Sequence, residues 1–160
     1  MSMEIVVAEP FELHYQRAFD RHWDDVFRFV LAWTNDWAAA EDVAQEAYLR
    51  LWQHRASLDW ERPILPWLLV AARHLATNRF HALRRSILPR QVEPSSDEAV
   101  RARWLDVRTA MARLSPLERT SLVLTAVEGW SYAEVAQALG TSEGALRAAV
   151  SRAREKLEVA

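Results

Sequence analysis

The 160-residue chain predicts an all-α protein made of two small helical domains joined by a flexible linker. Three observations carry that expectation. Only 3 Gly and 6 Pro accompany 51% hydrophobic residues, a helix-rich globular composition. Apolar residues recur at three- and four-residue steps along most of the chain, and no strand-like alternation of useful length appears. The stretch SILPRQVEPSSDEAVR, residues 86–101, breaks this pattern with two prolines, adjacent serines and three carboxylates. Residues 1–10 then form a tail, 11–85 the first domain, 86–101 the linker and 102–160 the second domain.

The first helix is expected from Phe11 to Trp33, where Tyr15, Phe19, Trp23, Val26, Phe27 and Val30 make an aromatic-rich stripe suited to a core. Asn35 or Asp36 caps a second helix that runs to about His54. Val43, Ala47, Tyr48, Leu51 and Trp52 turn inward on it, while Glu41, Asp42, Gln45, Glu46 and Arg50 turn outward. That polar strip suits the positive end of the helix dipole, and Glu46 and Arg50 form an i, i+4 pair. It equally suits a docking surface. Residues 55–62 break the periodicity ahead of Pro63 and Pro66, which marks a loop bearing Trp60. The third helix, from about Pro66 to Arg85, turns Trp67, Leu68, Ala71, Leu75 and Phe80 inward and puts Arg73, His74, Asn78, Arg79, Arg84 and Arg85 on its polar side and end. Cations there stabilise a helix C-terminus, or hold a nucleic-acid strand whose bases stack on nearby aromatics.

Beyond the linker a helix is expected from Arg103 to Arg113, with Trp104, Val107, Ala110 and Met111 inward. Ser115-Pro116-Leu117-Glu118 combines a cap, a first-turn proline and a capping box, and starts a helix containing Leu122, Val123, Ala126 and Val127 that ends near Glu128-Gly129. Ser131 and Glu134 form another capping box. The short helix they begin ends at Gly140, which takes the left-handed conformation without Cβ strain. Thr141 or Ser142 caps a last helix whose Leu146, Val150, Ala153 and Leu157 form one stripe. Arg147, Ser151, Arg152, Arg154 and Lys156 lie off that stripe. Two helices, a tight turn and a basic second helix match the helix-turn-helix that enters a major groove, although a plain helical hairpin with solvated arginines has the same pattern.

Composition excludes other chemistry. With no Cys there is no disulfide framework, thiolate metal site or cysteine nucleophile. The three glycines are isolated, so no phosphate-binding loop occurs, and His74 and His81 lack a third metal ligand. No cofactor and no catalysis are expected. No stretch approaches the ~20 apolar residues that span a bilayer, so a cytoplasmic protein without membrane insertion is expected. The net charge of −2 is low for a protein that neutralises phosphates alone. A chain of this charge that reads DNA needs a partner to supply much of the binding.

The order of these segments resembles the extracytoplasmic-function (ECF) group of bacterial sigma factors, the initiation subunits of RNA polymerase. AEDVAQEAYLRLW is similar to the signature helix of sigma region two, PWLLVAARHLATNRFHALRR to the helix after it, and LSPLERTSLVLTAVEGWSYAEVAQALGTSEGALRAAVSRAREKL to region four. The resemblance implies that Glu41, Asp42, Gln45, Glu46 and Leu49 dock on core RNA polymerase. It implies that Trp60, Arg73, Asn78, Arg79, Arg84 and Arg85 meet the minus-ten promoter element as single-stranded DNA, and that Arg147, Ser151, Arg152 and Arg154 meet the minus-thirty-five element. An anti-sigma protein is the expected controller. Ala149, Asn78 and the short basic cluster at Arg84-Arg85 depart from the family pattern. A stand-alone helix-turn-helix regulator, or a protein-binding helical module without DNA binding, is the alternative reading of the same residues.

Overall fold

The computed structural model describes residues 10–83 and 97–159, with the backbone alone over 80–83. Every regular element among the described residues is helical: α1 (Phe11–Thr34), α2 (Trp37–His54), α3 (Leu65–Leu83), α4 (Glu98–Met111), α5 (Pro116–Leu122), a π-helical turn over Val123–Val127, α6 (Tyr132–Leu139) and α7 (Glu143–Glu158). The tail, except Pro10, lies outside the described residues, as do Arg84, Arg85 and residues 86–96 of the linker.

Local chemistry sets the boundaries. Asn35 and Asp36 divide the work at the first corner: Asn35 adopts the left-handed conformation (φ 53°) that ends α1, and the Asp36 carboxylate accepts from Ala39 N at 2.9 Å to start α2. Ser115–Glu118 and Ser131–Glu134 are complete capping boxes. Gly140 ends α6 at φ 62°, and Ser142, whose Oγ accepts from Ala145 N at 3.1 Å, starts α7. Asp97 caps α4 through Ala99 N at 2.9 Å, so this helix begins five residues before the expected Arg103 and takes in the last linker residues.

Helices α1, α2 and α3 pack around Val26, Phe29, Val30, Tyr48, Leu51 and Leu68, all at most 2% exposed. Tyr48 is the hub: its ring meets those of Phe19 and Trp23 at 5.0 and 5.6 Å, and its hydroxyl donates to Ala18 O at 3.1 Å. Burial pushes its pKa up. The buried face of α3 is Leu68, Leu69, Ala72 and Ala76, one step round from the expected stripe. Trp67 and Leu75 cover its edge because α3 packs on α1, α2 and α6 together.

The second half does not stand apart. The larger hydrophobic cluster runs unbroken from α1–α3 into Leu124, Val135, Ala138, Leu139 and Leu146. A smaller cluster of Leu114, Leu122, Val150 and Ala153 fixes α7 to α5. One expectation, the inward face of the helix after the linker, fails here. Helix α4 buries none of its residues, with Val107 50% exposed; Trp104, Arg108 and Met111 are among the residues through which it meets its surroundings. Val127 is 73% exposed because the helix after Leu122 widens, with Glu128 N reaching back five residues to Val123 O (3.0 Å), and loses the 3.6-residue phase.

Candidate docking and nucleic-acid interfaces

Over residues 40–49 of α2 every side chain is either buried or exposed. Ala40, Val43, Ala44, Ala47, Tyr48 and Leu51 are buried, and Glu41, Asp42, Gln45, Glu46 and Leu49 share the exposed side. Leu49, 53% exposed, is the one large apolar side chain in this acidic strip. Asp42 pairs across to Arg79 of α3 (2.6 Å), and Glu46 lies 4.0 Å from Arg50. The strip therefore borders the polar side of α3 and is not isolated from it.

The residues expected on single-stranded DNA divide into three placements. Asn78 and Arg79 are exposed on α3. Trp60 is half-buried, its Nε1 donating to Arg55 O (2.9 Å) and its ring stacked on His14 at 5.2 Å. It lines an open cleft of about 720 Å³ between α1, the loop before α3 and the start of α6, with His14, Arg21, Arg62 and Trp130 also on the wall. Arg73 is held elsewhere. Its Nη1 donates to Leu139 O at the end of α6 (2.6 Å), and its Nε is buried without a hydrogen-bond partner among the described residues.

Helices α6 and α7 form the helix-turn-helix. Arg147, Ser151 and Arg154 are exposed at i, i+4 and i+7, hence on one stripe of α7. The Arg147 guanidinium stacks 4.2 Å over the Tyr132 ring, with Glu143 at 3.8 Å. Arg152 is about 140° round the helix from Arg147 at 100° per residue. It turns instead towards α5, where its Nε meets Glu118 Oε1 at 3.3 Å and Lys156 Nζ meets Oε2 at 2.7 Å. Glu118 is 5% exposed. Burial alone would raise its pKa, but the bonds from Lys156, the Ser115 N–H and Arg152 outweigh that cost and hold it at about 2. Ala149 is fully buried, so its departure from the family pattern falls on the packed side of α7.

Sequence reasoning passed over the residue that joins the halves. Arg119 is 6% exposed and donates to four carbonyls: Ala32 and Trp33 at the end of α1, Met111 at the end of α4, and Leu114 just beyond it. Helix ends present unsatisfied carbonyls with partial negative charge, and a guanidinium has five donors in a rigid fork to meet them. Desolvation lowers its pKa to about 10, leaving it charged at neutral pH. Around it, Arg108 Nε donates to Asn35 O (3.0 Å) while Asn35 Nδ2 donates to Arg108 O (2.9 Å), Trp104 meets Trp37 edge-on at 5.8 Å, and Arg28 pairs with Glu128 at 2.9 Å.

The chain thus carries an acidic helix face on one helical unit and a helix-turn-helix on the other. Residues 18–86 match the family described as Sigma-70 region 2, and residues 104–157 match Sigma-70, region 4. The chain is 34% identical over 139 residues to the ECF RNA polymerase sigma factor SigL of Mycobacterium tuberculosis, covering 81% of this chain and 78% of that one. It is 30% identical over 153 residues to the RNA polymerase sigma factor CarQ of Myxococcus xanthus, covering 89% and 86%. Its fold is similar to that of the sigma factor RpoE in complex with the anti-sigma factor NepR from Bartonella quintana (TM-score 0.68, 20% identity, 90% and 94% covered). It is also similar to CnrH in complex with the cytosolic domain of CnrY (TM-score 0.68, 24% identity, 91% and 85% covered). The chain belongs to the ECF group of the sigma-70 family of RNA polymerase sigma factors.

Proposed function

We propose that this chain is a promoter-specificity subunit that binds core RNA polymerase through the exposed side of α2 and delivers α3 and α7 to the minus-ten and minus-thirty-five elements. The observation that carries this reading is the α2 strip. Four polar residues and one exposed leucine, Glu41, Asp42, Gln45, Glu46 and Leu49, lie back to back with a fully buried face. A helix held this firmly from behind is a rigid platform for a partner, and an apolar residue inside a charged strip is the usual make-up of a docking site.

Asn78 and Arg79, with Trp60 beside the cleft, are the proposed minus-ten contacts, joined by Arg73 once it is released from Leu139. Arg84 and Arg85 extend that set in sequence. On α7, Arg147 is the proposed reader of a guanine edge, with Ser151 and Arg154 on phosphate. Arg152, engaged by Glu118 through Nε, contributes its terminal N–H groups to the same backbone. The chain supplies no reacting group of its own, and nucleotide addition belongs to the polymerase. Work inside the cytoplasm follows from that partnership; among the described residues no helix is long and apolar enough to cross a membrane. The sigma factor RpoE, of similar fold, was solved in complex with the anti-sigma factor NepR, which supports a regulator of that kind here.

The test is co-elution with core RNA polymerase followed by run-off transcription from a cognate promoter. Replacing Asp42 and Glu46 together with Arg abolishes co-elution while the helical circular-dichroism signal persists. Retained co-elution of the double variant removes α2 as the docking face.

A further inference from the structure

Resting on the sigma-subunit reading, we infer that Glu118 of α5 is a positioning residue for DNA recognition by α7. It fixes the Arg152 guanidinium so that its free edge is presented to a phosphate of the minus-thirty-five element. Along α7, Leu146, Val150 and Ala153 are buried and Leu157 is half-buried, and the stripe they form packs into the apolar clusters. At 100° per residue, Arg147 and Arg152 lie on the two flanks of the opposite, exposed face, with Ala148 and Ser151 between them. Small residues at the centre let a helix come close to a duplex while an arginine reaches out on each side.

The acceptor that holds Arg152 is itself immobile. Glu118 Oε2 accepts from the Ser115 N–H at 2.9 Å, closing the capping box of α5, and from Lys156 Nζ at 2.7 Å, while Oε1 accepts from Arg152 Nε at 3.3 Å. With both oxygens engaged the carboxylate cannot turn, and Arg152 is tied to a point set by the start of α5. Without Glu118, the carboxylate one turn along α7, Glu155 at i+3, is the alternative partner, on the exposed side of the helix.

The nitrogen used decides what is left for DNA. A guanidinium is a planar fork of N–H donors, so a bond through Nε orients the plane and leaves the terminal edge of Nη1 and Nη2. That edge meets two oxygens of one phosphate in parallel. The Arg152 side chain remains 52% exposed with the Glu118 bond in place. A phosphate gripped in this way fixes the register of α7 on the duplex, and with it the base pair that Arg147 meets. Charge alone predicts the opposite effect. A carboxylate beside the DNA face repels phosphate, so neutralising it would tighten binding, whereas the loss of a positioning group weakens it.

Promoter titrations compare the unchanged chain with Glu118→Gln, Arg152→Lys, Arg152→Ala, and Glu118→Gln combined with Arg152→Ala. Each is measured in the polymerase complex and, alone, on the same duplex at low salt. Glutamine keeps the volume and serves in a capping box, so the start of α5 is retained. Arg152→Lys keeps the charge at an exposed position but removes the fork. Glu118→Gln and Arg152→Lys are each expected to bind about fivefold or more weakly, and the combined chain no more weakly than Arg152→Ala. In the free chain, the Arg152 Nε–H is expected to exchange slowly with water by NMR, and rapidly in Glu118→Gln. Tighter binding by Glu118→Gln, unchanged binding by Arg152→Lys, or equal exchange in the two free chains overturns the inference. So does a Glu118→Gln effect that persists in full when Arg152 is already Ala. Failure of every chain to join the polymerase sinks the sigma reading, while the ranking on the duplex still decides the role of Glu118.

Discussion

The guanidinium of Arg119 donates to the main-chain oxygen of Ala32, 87 residues earlier, and so completes the C-terminus of a helix to which it does not belong. It serves the end of α4 in the same way. Replacing it with Met keeps most of the side-chain volume but leaves those buried carbonyls without donors. Unsatisfied buried acceptors cost about 1–3 kcal/mol each before relaxation, and water entering the seam relieves part of that. Arg119→Met is expected to lose about 3 kcal/mol in urea unfolding, whereas Arg113→Met, an exposed control, changes stability by less than ~0.5 kcal/mol.

Glu118 gives the fold an acid limit. Its folded pKa, about 2, lies below the ordinary carboxylate value of 4.5, so its contribution is present above pH 4.5 and is lost as pH falls towards 2. Glu118→Gln removes that dependence and releases Arg152 and Lys156 from α5. The expected result is a melting temperature lower at pH 7, with a shallower decline between pH 4.5 and 2 than in the unchanged chain. Parallel acid limbs for the two proteins would refute the assignment.

Gly140 carries two constraints that a double-mutant cycle separates. Its φ of 62° penalises any side chain, by roughly 1–2 kcal/mol for an L-residue. The nearby Arg73 guanidinium adds a steric penalty to Gly140→Ala, and only that part disappears when Arg73 is already Ala. A coupling energy near zero in denaturant titrations would show that Arg73 moves aside at no cost.

On α7, Arg147→Ala is expected to cost about 1–3 kcal/mol in promoter engagement and to relax specificity at one base pair. Arg154→Ala weakens binding to all sequences alike and lowers the salt slope by about 1. Promoter titrations of the polymerase complex over a range of salt concentrations distinguish the two. Equal behaviour of the two variants would return Arg147 to a phosphate contact.

Most of the architecture was legible where it rests on short-range rules. Capping at Ser115, Ser131 and Ser142, the αL stop at Gly140 and the stripes of α1 and α2 depend on residues within a few positions of one another. What escaped depends on distant partners. Nothing in Pro116-Leu117-Glu118-Arg119 marks Arg119 as buried, because two of the four carbonyls that compensate its burial lie on α1, more than 80 residues away. Arg152 reads as one more cation of a recognition helix until Glu118 is found beside it. Val107 and Val127 fit a helical period, but α4 has little to pack against and the π turn shifts the phase after Leu122. The face of α2 was readable because its central residues, Ala40 to Leu49, are either buried or exposed. The commitment of Arg73 was not, because it exists only when the two halves meet.

The π turn over Val123–Val127 amounts to one surplus residue in an otherwise regular helix. Its excision would turn everything downstream by about 100°. Glu128 would leave Arg28, Trp130 N would leave Leu124 O (2.9 Å), and the whole helix-turn-helix would be aimed at a different bearing from the rest of the molecule. A single-codon deletion in this turn is thus a protractor, able to re-point the DNA-reading unit while leaving every one of its own side chains in place.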